Sequence, residues 1–137
     1  MTDLQKMIRW LDLCPYLQAD PMEVDTTLAV PANAGLYPLG FTVVRQQQDV
    51  AGNYKTHCRY EFLLRCALPE GEAAAEKILM IQNWVFQQNL QGITPGFGGN
   101  ETVWAQEGRL ERATQVGTAL YCVKLTVNYE KEYEGEA

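Results

Sequence analysis

Little in this chain is equipped for chemistry. Its 137 residues include one histidine, His57. Any acid–base or nucleophilic scheme must run through His57 or do without histidine. No G-x-S-x-G or H-E-x-x-H arrangement occurs, so the common serine-hydrolase and zinc-protease signatures are missing. "GFGG", residues 96–99, lacks the following Gly-Lys-Ser/Thr of a phosphate-binding loop. The four cysteines, Cys14, Cys58, Cys66 and Cys122, form no C-x-x-C pair. The carboxylates of "EGEAAAE" sit at a helix start, where such groups serve as capping and dipole partners.

Positive charge is scarce as well. Eleven Lys and Arg stand against 17 Asp and Glu, for a net charge of −6. Gripping nucleic acid takes clustered cations that displace counterions from phosphates, so an acidic surface repels DNA. No apolar run approaches the ~20 residues of a membrane span. "MTDLQKMIRW" lacks an apolar h-region and a cleavage site and reads as no signal peptide. The expectation is a chain made and kept in a cytoplasm, with its thiols reduced.

What is present is a globular composition, 47% hydrophobic, long enough for one domain over 1–137 with a sizeable core. "TDLQKMIRWLDL" reads as a first helix. Leu4, Met7, Ile8 and Leu11 share one stripe, Thr2 or Asp3 caps the start, and Pro15 stops it. The connection from Tyr16 to Gly40 carries Pro21, Pro31 and Pro38, with short extended pieces near Met22–Asp25 and Gly35–Leu39. "FTVVRQQQDV" and "YKTHCRYEFLLRCAL" are strand-like runs around "AGNY". A two-residue turn at Gly52 and Asn53 sets Val43 against Phe62, Phe41 against Leu64 and Arg45 against Tyr60. Along the return strand, Cys58, Tyr60, Phe62, Leu64 and Cys66 share one face and His57 points to the other. Eight residues at about 3.3 Å each hold the two cysteines roughly 26 Å apart, beyond the reach of a disulfide or one zinc ion. They read as small buried thiols.

"PEGEAAAEKILMIQNWVFQQNLQG" reads as a second helix, from Glu72 to about Leu90, with Gly92 as its stop. Ile78, Ile81 and Val85 make its core stripe. Leu79, Met80, Trp84 and Phe86 widen that stripe beyond what one small sheet requires. "ITPGFGGN" is a loop. "TVWAQEGRLERATQV" and "TALYCVKLTVNYEKEY" form a second hairpin turning near Gly117, with Tyr121, Val123, Leu125, Val127 and Tyr129 on one face. The fold class is α+β: a largely antiparallel or mixed sheet of two hairpins, packed by two main helices. Glu130, Glu132, Glu134 and Glu136 alternate at the end. They read as a solvated, flexible acidic tail over 130–137, or else as a charged rim that orders against a partner.

Four stretches carry a resemblance: "IRWLDLCPYL", "DVAGNYKTHCRYEFLLR", "NWVFQQNLQGITP" and "TALYCVKLTVNYEKEY". In their order along nearly the whole chain the sequence resembles the minor capsid, or tail terminator, proteins of the head–tail gene cluster of tailed phages and prophages of Gram-positive bacteria. "GFGGNETVWAQEGRLER" matches least. The resemblance implies a tail-terminator-like α+β subunit of the virion's head–tail junction that forms a ring with itself, typically a hexamer. Such a ring caps the tail tube protein and meets the head-side connector or stopper protein, and a sheath protein where the tail is contractile. DNA passes through without tight binding. No cofactor, metal or catalytic residue is implied. The alternatives are another neck protein, a stopper or head-completion subunit, and then a small α+β enzyme or ligand-binding protein with a concave site near His57.

Interfaces are therefore where function is sought. The first candidate is the polar arm Gln46–Lys55, with Gln46, Gln47, Gln48, Asp49, Tyr54 and Lys55. The surplus aromatic residues of the second helix, Trp84 and Phe86, are the next. The loop Gln91–Asn100 adds Phe97. The end of the chain, Tyr129–Ala137, adds Tyr129, Glu130, Glu132 and Tyr133.

Overall fold

The computed structural model describes residues 1–17, 23–24, 34–69, 71–113 and 118–133. Within them, two helices pack on one face of a sheet ordered β1-β2-β3-β5-β4. Four long strands, β2 (Ala34–Gln48), β3 (Tyr54–Pro69), β4 (Gly99–Ala113) and β5 (Thr118–Tyr133), pair antiparallel. The two-residue β1 (Glu23–Val24) adds a short parallel edge beside Gly35 and Leu36. The α+β class expected from the order helix, hairpin, helix, hairpin is what forms.

Helix α1 spans Asp3–Leu11. Thr2 opens it with a capping box: its hydroxyl accepts from the Gln5 N–H at 3.2 Å, and the Gln5 side chain accepts from the Thr2 N–H at 2.9 Å. The helix ends at Leu11, before Pro15 is reached. Met7 and Leu11 of the expected stripe are fully buried, Leu4 and Ile8 pack partly buried beside them, and Trp10 joins the core. Helix α2 spans Glu72–Leu90. Gly92 follows it with a φ of 72°, a left-handed geometry that glycine adopts without strain. Its buried face is Ala74, Ile78, Ile81, Trp84 and Val85.

The core lies between these helices and the alternating residues of the central strands: Cys58, Phe62, Leu64 and Cys66 on β3, and Tyr121, Val123, Leu125, Val127 and Tyr129 on β5. The two-residue period thus selects the buried face as read from sequence. The opposite face is covered by ion pairs and hydrogen bonds between strands. Lys124 meets Glu61 at 2.7 Å, Arg65 meets Glu111 at 2.8 Å, and Arg59 donates to Asn128 at 3.2 Å.

The β2–β3 register differs from the expected one. Phe41 pairs with Tyr60, Val43 with Cys58 and Arg45 with His57, and the strands close at Gln48–Tyr54. Two local causes account for this. The Asp49 carboxylate accepts from the N–H groups of Ala51 and Asn53, both at 2.9 Å, and builds a turn over 49–53 in place of a two-residue turn. Gly52 does take the expected positive φ, 86°. Register also shifts between Pro38 and Gly40 and between Val43 and Arg45, which leaves Leu39 and Val44 as bulges. The apolar strip Phe41–Val43 consequently lies half-exposed instead of opposite Leu64 and Phe62. The turn expected near Gly117 lies outside the described residues.

Candidate interaction surfaces

The arm and the end of the chain, far apart in sequence, form one surface. Strand β5 continues through Tyr133, and its last residues pair with the base of the arm: His57 with Glu130, Lys55 with Glu132, Tyr54 with Tyr133. Residues 130–133 are thus strand and not a frayed end; 134–137 lie outside the described residues. Extended backbone places Glu130 and Glu132 on the same face. An open groove of about 880 Å³ runs here, lined by Gln47, Gln48, Asp49, Asn53, Tyr54, Lys55, Glu132 and Tyr133. Small-molecule pockets are mostly apolar. This groove presents amides, carboxylates and an ammonium around two tyrosines, a lining suited to polar segments of another protein. Gln46 stands beside it, exposed and paired with Thr56.

Glu130 ties the surface together. Its carboxylate accepts from Asn100 Nδ2 at 2.9 Å and meets Lys55 Nζ at 3.3 Å and His57 Nδ1 at 3.4 Å. The Asn100 hydrogen bond, aided by Lys55 and His57, holds this carboxyl below the usual carboxylate range against the opposing effect of partial desolvation. His57 is in turn contacted by Arg45, with Nη2 3.1 Å from Nε2. A guanidinium can only donate, so this contact uses Nε2 as an acceptor, while Nδ1 faces Glu130. One rung therefore crosses β2, β3, β5 and β4 through Arg45, His57, Glu130 and Asn100. No sequence motif announces it, because its members come together only when four strands align.

The loop Gln91–Asn100 is pinned. The Glu101 carboxylate accepts from the N–H groups of Gly96 at 2.9 Å and Phe97 at 2.8 Å. Trp10 Nε1 donates to the Ile93 carbonyl at 3.0 Å. Phe97 is a core residue, edge-on to Tyr129 with ring centroids 5.4 Å apart. Tyr129 is itself buried, and Trp84 lies against Trp10 with centroids 4.8 Å apart. Of the aromatic residues expected to meet partners, Trp84, Phe97 and Tyr129 are thus core side chains. Their outward neighbours are exposed: Phe86, with Leu79, Met80 and Leu90 on the same helix, and Tyr133 on β5. Surplus apolar residues on a helix mark an extra face without saying which residue fills the core.

Among the described residues, the concavity beside His57 is a depression of about 190 Å³, bordered by His57, Arg59, Asn100, Asn128 and Glu130. That is below the ~300 Å³ from which ligand pockets usually start, and its polar groups are engaged with one another. Among the described residues, no group of three His, Cys, Asp or Glu side chains is placed to hold a metal ion. All four cysteines are buried and unpaired. Burial pushes the Cys66 thiol up to about 12 and raises Cys14, Cys58 and Cys122 above the ordinary thiol value, which keeps them protonated and poorly nucleophilic. Among the described residues, no helix is long and apolar enough to cross a membrane. No protein-family model matches the chain, and no curated protein matches it in sequence.

Proposed function

We propose that the chain is a structural virion protein, a tail terminator whose copies form a ring, hexameric in size, that caps the tail tube and joins it to the head-side connector. The observation that carries this reading is the joined arm and chain end. Every residue from Leu39 to Ala51 is exposed, yet the projection is ordered by strand pairing and by the Glu130 contacts. A projection of this kind, polar from Arg45 to Asp49, contributes little to the core and is well suited to docking on a neighbouring protein. The resemblance from "IRWLDLCPYL" to "TALYCVKLTVNYEKEY" supports the same reading. So does the net charge of −6, since a ring around a DNA channel works best without holding its cargo. The protein acts through interfaces, with the tail tube on one side and the connector or stopper on the other.

The test is assembly. Purified protein is mixed with tail tubes and imaged. Rings at one tube end, lost when Gln47, Gln48 and Tyr54 are changed together to alanine, are the expected result. Protein that captures portal complexes in place of tubes belongs to the stopper or head-completion class instead. Protein that binds neither overturns the proposal.

A further inference from the structure

Two uncharged apolar patches lie on opposite margins of the sheet. The first is the outer half of β2. Phe41 and Val43 are in register with Tyr60 and Cys58, which belong to the helix-side face, and the Phe41 ring meets Tyr60 edge-on at 6.2 Å. Yet Phe41 and Val43 are 51% and 48% exposed. The cover that buries their neighbours on β3 stops short of them. The second patch is the solvent side of α2, where Leu79, Met80, Phe86 and Leu90 are exposed. Helix α2 lies over β4, at the far margin: the Asn89 side chain accepts from the Val103 N–H at 3.1 Å and Gln82 donates to the Ala105 carbonyl at 3.4 Å.

The shapes of the two patches differ in a complementary way. Leu79, Phe86 and Leu90, with Asn83 between the first two, follow the four-three-four spacing of a helix seam and form one ridge. Strand β2 is a poor template for another strand, because Pro38 and the bulges at Leu39 and Val44 interrupt its edge. Its apolar strip is better matched to side chains arriving from a helix.

Charge selects the occupant. No Asp, Glu, Lys or Arg occurs from Ala34 to Val44 or from Ile78 to Gln91, in a chain of net charge −6. Two copies can meet through these stretches without burying a charge or opposing like charges. The ridge is the larger patch and the β2 strip, two side chains each about half-exposed, the smaller. Neither reaches the ~800 Å² that each partner contributes to a standard interface, so the two patches make the apolar centre of a contact whose rim is polar. Because the patches differ and sit at opposite margins, the contact is head-to-tail, the type that closes into rings.

We infer that α2 of one copy docks its Leu79–Phe86–Leu90 ridge onto Phe41 and Val43 of the next. This rests on the ring reading above and assigns its subunit interface. Phe41→Asp and Phe86→Asp each change a half-exposed side chain, and thermal melts check that both variants fold. By sedimentation, the wild-type protein is expected as a closed oligomer and each variant alone as a monomer, with self-affinity reduced roughly 30-fold or more. An equimolar mixture restores a dimer, because Phe86→Asp keeps an intact β2 strip and Phe41→Asp an intact ridge. Should either variant fail to melt cooperatively, oxidation of a Val43→Cys, Phe86→Cys double variant replaces it. Covalent ladders of oligomers are then expected, and their absence overturns the inference. Assembly lost by Phe86→Asp but kept by Phe41→Asp also overturns it, pointing to α2 against α2. Rings that survive both changes overturn the docking mode and leave the ring reading standing. Wild-type protein that stays monomeric, alone and on tail tubes, overturns both.

Discussion

The two ends of β2 live under different rules. From Ala34 to Leu36 the strand is buried, with Leu36 fully excluded from solvent; from Leu39 to Gln48 every residue is exposed. Both ends pair with β3. Backbone pairing is therefore common to both, and burial is what separates them. Where the core closes over the strand, the side chains carry stability. Where it does not, Phe41, Val43 and the glutamines are held in place by their neighbours and left available. A strand that is half core and half display suits a protein that acts by fitting against others.

The comparison is broken most strongly by cutting one side chain at each end. Leu36→Ala leaves a cavity and is expected to cost about 2–5 kcal/mol, whereas Val43→Ala should cost well under ~1 kcal/mol; urea unfolding of the two variants measures the gap. Equal losses would mean that the outer half is core after all. Gly98→Ala comes next. A Cβ there would run into the backbone carbonyl of Glu130 and the Tyr129 ring, and backbone cannot step aside as a flexible side chain can. A loss of about 1–3 kcal/mol by urea unfolding is expected, with weakened hydrogen-exchange protection at the β5 end. Asp49→Ala removes the acceptor of two turn N–H groups and should cost about 1 kcal/mol, read in the same way.

Glu130 sharpens the comparison through pH. Its carboxyl titrates lower in the fold than the ~4.3 of an unfolded glutamate. The ionised group therefore stabilises the fold above the unfolded value, and this contribution is lost as pH falls through the folded one. Melting temperatures of wild type and Glu130→Gln, followed from neutral pH downwards, should differ at pH 7 and converge below about pH 4. A constant difference at all pH values would show that the charge is not what matters. The smallest effect is expected of Gln47→Ala, which should leave stability within ~0.5 kcal/mol while weakening capture of tail tubes.

Much of the fold was legible because it depends on near neighbours in sequence. Helix α2 begins and ends where its acidic start and Gly92 place it, since the helix dipole and glycine geometry act within one turn, although no side chain caps its start. The faces of β3 and β5 follow from alternation alone. The β2–β3 register was not legible. Two bulges and a side-chain-built turn at Asp49 each move the pairing, and a bulge leaves no reliable mark in composition. The site was half legible: the arm and the chain end stand out as polar stretches, but nothing in either says that they adjoin. Nor does an aromatic residue say which way it faces. Trp84 and Phe86 lie two positions apart on one helix, a turn of roughly 200°, and only the layer beneath decides that Trp84 meets Trp10 while Phe86 meets solvent.

The sequence by itself determined the periodicities and the exclusions: which residues share a face, that Cys58 and Cys66 lie too far apart along one strand to bridge, and that two long stretches carry no charge. These are properties of the extended or helical chain and need no partner. Only the tertiary structure decided adjacency. It set Glu130 among Asn100, Lys55 and His57, buried Tyr129 and left Phe41 uncovered. Each of those outcomes depends on which distant segment packs alongside, and that is settled by competition among all the surfaces of the chain at once.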